Sequence, residues 1–479
     1  MVSLGQSPQT YTWGKAVTHT PDEFAATALP VLSGAIPAGL RGTLYRNGPA
    51  RLELGGQRVG HWFDGDGAML AIHFAAGGVT GTYRFVQTQG YQAEAKAGKF
   101  LFGGYGMTPP GPLWQRFSRG LAKNVANTSV LALPDKLLAL WEGGWPYALN
   151  LQTLDTIGPD NLGGLSGAQG YSAHPKRDPQ TGEIFNFAVG FGKTGTLHLY
   201  RSDRSGRIQQ QGTITLDGLP LIHDFVLAGP YLVFLISPVH LNALPVLARL
   251  TSYGEALTWQ PERGTQILVV DRNTLTGVSW GETEPWYQWH FGNGAVDESG
   301  QVVLDLVRYP DFQTNQFLKE VATGQTQTLA PGTLWRIVLD PQTATVREAV
   351  QVVDRACEFP SVNPGQVGQP WRYTYLSLHR RGAAVNRDLF GAIARFDHQT
   401  HRLTELDCGV GCYPMEPLFA PDPARPEQGW VLTVVYDGNR NSSEVWVLDP
   451  DRWDAGPLCR LALPQVIPLG FHGTWMGAG

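Results

Sequence analysis

Short apolar runs recur along this chain, each broken by a polar turn and followed by a second extended run. The copies read MLAIHFAAGGVTGTYRF, PYALNLQTLDTIG, TLHLYRSDRSGRI, ILVVDRNTLTGV, LWRIVLDPQTATV, AIARFDHQTHRL and VWVLDPDRWDAGPLCRL. Their polar turn residue falls at Asn150, Asp203, Asp271, Asp340, Asp397 and Asp449, and the first, least regular copy is anchored at Phe74. Apolar runs of this length, bounded by turn residues, predict strands paired as hairpins. A lone hairpin buries only one face, so such units must stack on one another. A spacing of roughly 50–70 residues fits four-stranded propeller blades lengthened by inserted loops. Strand–turn–strand units also recur by chance in β proteins, but the regular spacing favours an all-β, seven-bladed β-propeller. Only PDEFAATALPVL near the start and Leu113–Asn124 (LWQRFSRGLAKN) carry a helical pattern.

The expected organisation is one domain over 1–479, with 1–35 as an N-terminal extension. A C-terminal strand near 468–475 is expected to close the ring into the first blade. The start, MVSLGQSPQTYTWGK, has no apolar core of a secretory signal. Phe225–Ala248 carries no formal charge and is long enough for a membrane helix, yet Gly229-Pro230, Pro238 and Pro245 divide it. It reads as two buried strands and a loop, so no membrane span is expected.

Composition narrows the class further. Fifty-eight Gly, 34 Pro, 11% aromatic and only 16% charged residues describe a turn-rich globular protein rather than a disordered chain or a coiled coil. A net charge of −5 gives no pull toward nucleic acid. Four cysteines (Cys357, Cys408, Cys412, Cys459) are too few for a disulfide framework, which points to a reducing, cytoplasmic setting. Cys408 and Cys412, in CGVGC, lack the remaining ligands of a zinc site and read as plain thiols at a turn.

In a propeller the inner strands converge on the axis, so residues far apart in sequence can meet there. Four of the twelve histidines sit in short apolar or aromatic stretches: His174 (GYSAHP), His223 (LIHDF), His290 (WYQWHFGN) and His472 (GFHGTW). Glu142 (LALWEGG), Glu358 (CEFP) and Glu416 (MEPLF) share that setting, where a charge is costly unless paired. Assigned by blade, the inner strands would supply His472, Glu142, His174, His223, His290, Glu358 and Glu416 for blades 1 to 7. Imidazoles suit iron, copper, zinc and nickel alike, and the glutamates could hold the other ring nitrogen of each ligand. A histidine in an apolar strand is more often a hydrogen-bonded core residue, so ligand set and core histidines both stay open on this ground alone. His19 falls in the tail, His198 in an outer hairpin, and His398 with His401 in an HQTH turn expected to be solvated.

These residues lie in motifs that resemble the carotenoid cleavage oxygenases. GTLYRNGPA (Gly42–Ala50), HWFDGDGAM (His61–Met69), KNVANTSV (Lys123–Val130), LALWEGG, SAHP, IHDF, CEFP, EPLF and FHGTW occur in order over nearly the whole chain. One departure is Gly294, where family members often have Ala. The resemblance implies a propeller capped by a dome of loops and short helices, with non-haem iron(II) on the axis bound by His174, His223, His290 and His472. It implies Glu142, Glu358 and Glu416 as the carboxylates behind the ligands, and Thr128 as a residue beside an open iron position. Pairing Glu358 with His290 and Glu416 with His472 follows from blade adjacency; Glu142 with His223 is less obvious. The implied reaction inserts dioxygen across a conjugated double bond of an apocarotenoid, giving retinal-type aldehydes, with O2 as cosubstrate and no nicotinamide or haem. Two other readings remain: cleavage of a different carotenoid bond or of a stilbene, and a non-catalytic propeller binding module. Apolar and basic residues in 100–124 and 240–250 resemble a patch for peripheral membrane contact, or else ordinary packing of dome loops. No protein partner is evident.

Overall fold

The computed structural model describes residues 11–120 and 122–478, so part of the expected 1–35 extension (1–10) and Leu121 of the 100–124 segment lie outside the described residues. Seven antiparallel sheets form the blades of a propeller, and every hairpin copy read from the sequence becomes a strand pair, outermost in blades 2 to 6 and flanked by one further N-terminal strand in blades 1 and 7. The repeated turn residue explains why. Asn150, Asp203, Asp271, Asp340, Asp397 and Asp449 each turn a side-chain oxygen back to accept the backbone N–H two residues on. In four of these turns a left-handed residue follows, at Leu154, Leu275, Ala344 and His401, which completes the hairpin loop.

Blade 2 runs outward from Ser129–Ala132, blade 3 from Lys176–Arg177, blade 4 from Val226–Ala228, blade 5 from Tyr287–Val296 and blade 6 from Cys357–Ser361. Blade 7 starts with Cys412–Pro414 and Leu418–Asp422, both paired to the long strand Arg425–Asp437. The inner strands of blades 4, 5 and 6, and those of blades 7, 1 and 2, touch one another in turn, so these blades are packed together near the axis. Between blades 3 and 4, Phe187, Phe225 and Phe234 stack edge-to-face or in parallel, fully buried. Each such ring contributes about 1.5–3 kcal/mol by leaving water.

The ring closes from both ends of the chain. The C-terminal strand Gly473–Gly477 pairs with Gly42–Arg51 at the inner edge of blade 1. The N-terminal segment supplies Phe24–Ala28 to the outer edge of blade 1 and Val31–Gly34 to the outer edge of blade 7. PDEFAATALPVL is therefore two edge strands and not the helix its alanines suggested. Leu29-Pro30 breaks the run, and pairing partners far along the chain decide its conformation. Among the described residues of Leu113–Asn124 the helix covers Leu113–Arg116, and Lys123 is drawn instead into a buried cluster with Asp66 and Glu94. Two longer helices, Gln89–Ala97 and Gln313–Val321, are additional to those the sequence suggested, although the second gathers its apolar side chains on one face. Phe225–Ala248 forms the buried strands Val226–Ala228 and Tyr231–Ile236, a third short strand Val239–Leu241, and a one-turn exposed helix Ala243–Leu247 where a loop was expected.

Candidate metal centre

Each of the four histidines sits at the entrance of an inner strand or within it. His174 and His223 lie just before Lys176–Arg177 and Val226–Ala228, His290 lies within Tyr287–Val296, and His472 immediately precedes Gly473–Gly477. Glu358 is the second residue of Cys357–Ser361, and Glu416 lies in the short break between the two inner segments of blade 7. Glu142 departs from the blade-by-blade assignment. The innermost strand of blade 2 is Ser129–Ala132, and Glu142 follows the second strand, Leu137–Leu140. An isolated bridge from Trp141 to Tyr171 leads the chain toward blade 3 and carries Glu142 to the site from there. The residue at the tip of the blade 2 inner strand is instead Thr128, whose backbone N–H donates to Leu140.

The four imidazoles meet. His174 Nε2 lies 2.9 Å from His223 Nε2, and His472 Nε2 lies 3.0 Å from His290 Nε2. The rings of His174 and His472 are 4.8 Å apart, and those of His174 and His290 5.2 Å. Ligand atoms of His174, His223 and His290 all fall within 4.8 Å of one another. Behind them, His290 Nδ1 is 2.6 Å from Glu358 Oε2, His472 Nδ1 is 2.9 Å from Glu416 Oε1, and His223 Nδ1 meets Glu142 Oε1. Glu358 and Glu416 are buried, whereas the Glu142 side chain is about a third exposed, at 35%.

A carboxylate only accepts, so the imidazole beside it carries its proton on Nδ1 and turns the Nε2 lone pair inward. Burial and the neighbouring His223, His472 and His290 hold His174 far below the ordinary histidine range. Burial pushes Glu416 up, but His472 and Arg46 outweigh it and keep this carboxyl ionised below its usual range. Inward lone pairs of neutral rings repel one another unless a cation lies between them. Four such nitrogens, three of their rings backed by carboxylates, therefore fit a first-row transition metal ion.

A mainly apolar cavity opens on one side of the cluster, with roughly 960 Å³ of space counting its mouth. Trp62, Phe63, Trp289, Phe317, Phe390 and Phe471 are among its walls, and His223, His290, His472 and Thr128 reach its floor. Thr128 donates its hydroxyl to Asn127 Oδ1 at 3.0 Å. The roof is pinned by Tyr105, which donates to Asn315 Oδ1 at 2.8 Å and packs on Phe63.

Sequence reasoning missed several supporting groups. Tyr309 donates its hydroxyl to Glu358 Oε1 at 3.0 Å from the strand beside His290. Arg46, in YRNGP, donates to the Glu416 and Phe471 carbonyls, and burial draws its guanidinium down to about 10 against the pull of Glu416. A cation inside an apolar strand was the available signal for Arg46; nothing local marks Tyr309. Trp289 stacks edge-on to His223 at 4.8 Å and donates to Thr314. His398, expected in solvent, is buried and paired with Asp305 at 2.8 Å, because the turn that carries it folds against blade 5; His401 is exposed. All four cysteines are free, and burial pushes the Cys412 thiol up to about 11.

Comparison with known proteins agrees with this architecture. The profile of the family described as retinal pigment epithelial membrane protein (RPE65) matches residues 17–477. The apocarotenoid-15,15'-oxygenase of Synechocystis sp. is 36% identical over 98% of this chain and 96% of its own length. The lignostilbene-alpha,beta-dioxygenase isozyme III of Sphingomonas paucimobilis is 28% identical over 93% of each chain. The crystal structure of the cobalt-substituted Synechocystis apocarotenoid oxygenase superposes with a TM-score of 0.89 at 35% identity, covering 98% of this chain and 99% of that one.

Proposed function

The chain belongs to the RPE65 family of carotenoid oxygenases, and we propose that it is an iron(II) dioxygenase that cleaves a conjugated double bond of a lipophilic apocarotenoid into two carbonyl products. The observation that carries this reading is the convergence of the His174, His223, His290 and His472 Nε2 atoms beneath an apolar cavity. Those four rings would hold the iron, with Glu142, Glu358 and Glu416 fixing three of them. Bound there, iron(II) would supply the electrons that activate dioxygen, which the electron-rich polyene then consumes.

The protein's own part is positioning and exclusion. Glu358 and Glu416 hold the Nδ1 protons of His290 and His472, so both rings keep one tautomer and one orientation through turnover. Trp289 and Thr314 brace His223 from the cavity side. Aromatic walls accept a long polyene and keep bulk water from the reacting bond. Thr128, with its hydroxyl tied to Asn127, would restrict one approach to the ligand cluster. Among the described residues the cavity lining holds no lysine or arginine to anchor a phenolate, which favours an apocarotenoid over a stilbene.

A lipophilic substrate has to be drawn from a membrane, and one face is suited to that. Leu113, Trp114, Phe117, Leu244, Leu247 and Leu250 are exposed on two adjoining one-turn helices, and Arg116 donates to the Arg249 carbonyl to join them. Apolar side chains beside Arg116, Arg119 and Arg249 suit shallow insertion below lipid headgroups. Among the described residues no helix is long and apolar enough to cross a membrane. The deciding experiment is an aerobic assay of the iron(II)-loaded protein with an apocarotenal, read by loss of visible absorbance and by product mass. Cleavage to two aldehydes or ketones is expected. Failure to cleave any polyene or stilbene would leave a propeller binding module instead.

A further inference from the structure

The histidine cluster divides two cavities, one mainly apolar and one of mixed lining. His290, His472 and Phe359 border both, while His223 borders only the apolar one and His174 only the other. The second cavity follows the axis between the inner strands and reaches the exposed Pro364. Lys176, Asp224, Asn293, Ser361, Glu416 and Thr474 supply its polar wall.

A divalent cation in water keeps its hydration shell until other ligands replace it. Passing the aromatic cavity would strip that shell against walls with few polar groups to replace it, which is costly for a charge. The axial cavity offers hydroxyl, amide and carboxylate oxygens along its length. Its one cation there, Lys176, is neutralised by Asp224 Oδ1 at 2.7 Å, and Asp224 Oδ2 accepts the Phe291 N–H at 3.0 Å. Glu416, whose charge is shared with the buried Arg46 at 3.9 Å, faces the same space directly behind His472 and puts carboxylate oxygen at the inner end of the path.

We propose that the axial cavity is the route by which the aqueous metal ion enters and leaves the histidine cluster, leaving the apolar cavity to the lipophilic substrate. The proposal rests on the reading that the four histidines hold a metal. Metal and substrate then never share a path, and a bound polyene does not block exchange.

The test measures how fast the full-length, metal-loaded protein gives up iron(II) to a coloured ferrous chelator. Thr474→Phe and Val367→Phe each add bulk to the axial wall, and Ala330→Phe adds it to the apolar one. Both axial variants are expected to release metal several-fold more slowly, with wild-type metal content and melting temperature, while Ala330→Phe releases at the wild-type rate. Unchanged release in both axial variants, or slowing by Ala330→Phe alone, overturns the route. Wild-type protein that carries no stoichiometric first-row metal overturns the metal reading itself, and the route with it.

Discussion

His290 Nδ1 and Glu358 Oε2 lie 2.6 Å apart across the seam between blades 5 and 6, and Tyr309 holds the other carboxylate oxygen at 3.0 Å. Against the pull of burial, Glu358 raises the His290 pKa above its ordinary value, so the pair is strongly coupled. Replacing Glu358 with Gln keeps the shape and removes the charge. Metal affinity is expected to fall about 10–100-fold with the fold retained, as carboxylates behind metal ligands usually require. A competitive metal titration of the variant checks this, and an unchanged affinity removes Glu358 from the supporting set.

His223 joins the cluster through the 2.9 Å approach of its Nε2 to that of His174. His223→Ala leaves Glu142 without its imidazole partner and opens a gap beside Trp289. Metal content after purification should drop from near one per chain to near zero, and cleavage activity with it, while circular dichroism stays that of a β protein. Full activity with normal metal content would exclude His223 as a ligand.

What the sequence disclosed was local, and what it hid was pairing. Asp203 or Asp271 closes its own turn within two residues, so the hairpins and their count could be read directly. The run Phe24–Gly34 could not, because its strand state is decided by Thr80–Tyr83 and Cys459–Leu461, outside any local pattern. The same limit applies at the site. Glu358 meets His290 because their strands are neighbours in the ring, a relation that blade order predicts. Glu142 reaches His223 from a second strand by way of the Trp141–Tyr171 bridge, which no blade order predicts. The supporting hydroxyl of Tyr309 is one alternate position in an ordinary apolar strand, with nothing in the sequence to mark it.

The apolar face of the two short helices gives a prediction independent of the metal. Trp114 is 73% exposed and Leu247 58%. Burying each in a lipid interface stabilises binding by about 2 kcal/mol. The double variant Trp114→Ser, Leu247→Ser should therefore lose up to about a thousandfold in liposome partitioning, measured by co-sedimentation. Turnover of detergent-dispersed substrate should stay at the wild-type level. Equal partitioning of variant and wild type would return this face to ordinary loop packing.

Gly294 sits where two blades pack too closely for a larger side chain. A Cβ there would lie 2.7 Å from Val226 Cγ2 and 3.1 Å from the Leu227 carbonyl, where blade 5 presses on blade 4. Gly294→Ala should cost about 1–3 kcal/mol by overpacking. Thermal melting reads this directly, and a variant as stable as the wild type would show that the two blades yield easily.

Acid sensitivity should trace in part to His379. Its ring is buried beside Phe390 in the wall of the apolar cavity, with Nδ1 unpartnered. Burial, reinforced by Arg355 and Arg380, draws its pKa down to about 3. In the unfolded chain the same group titrates near ~6.5. Between these values the unfolded chain binds a proton that the fold refuses, so stability is full above about pH 6.5 and falls as pH drops toward 3, by up to ~1.4 kcal/mol per unit. His61, drawn to about 3 chiefly by burial, acts in the same direction. His379→Leu removes the His379 contribution alone. Its urea-unfolding free energy should therefore gain on the wild type as pH is lowered from 7 to 4.5, whatever the offset at neutral pH. Parallel curves for the two proteins over that range would mean that His379 is protonated in the fold, or that it is not buried as described.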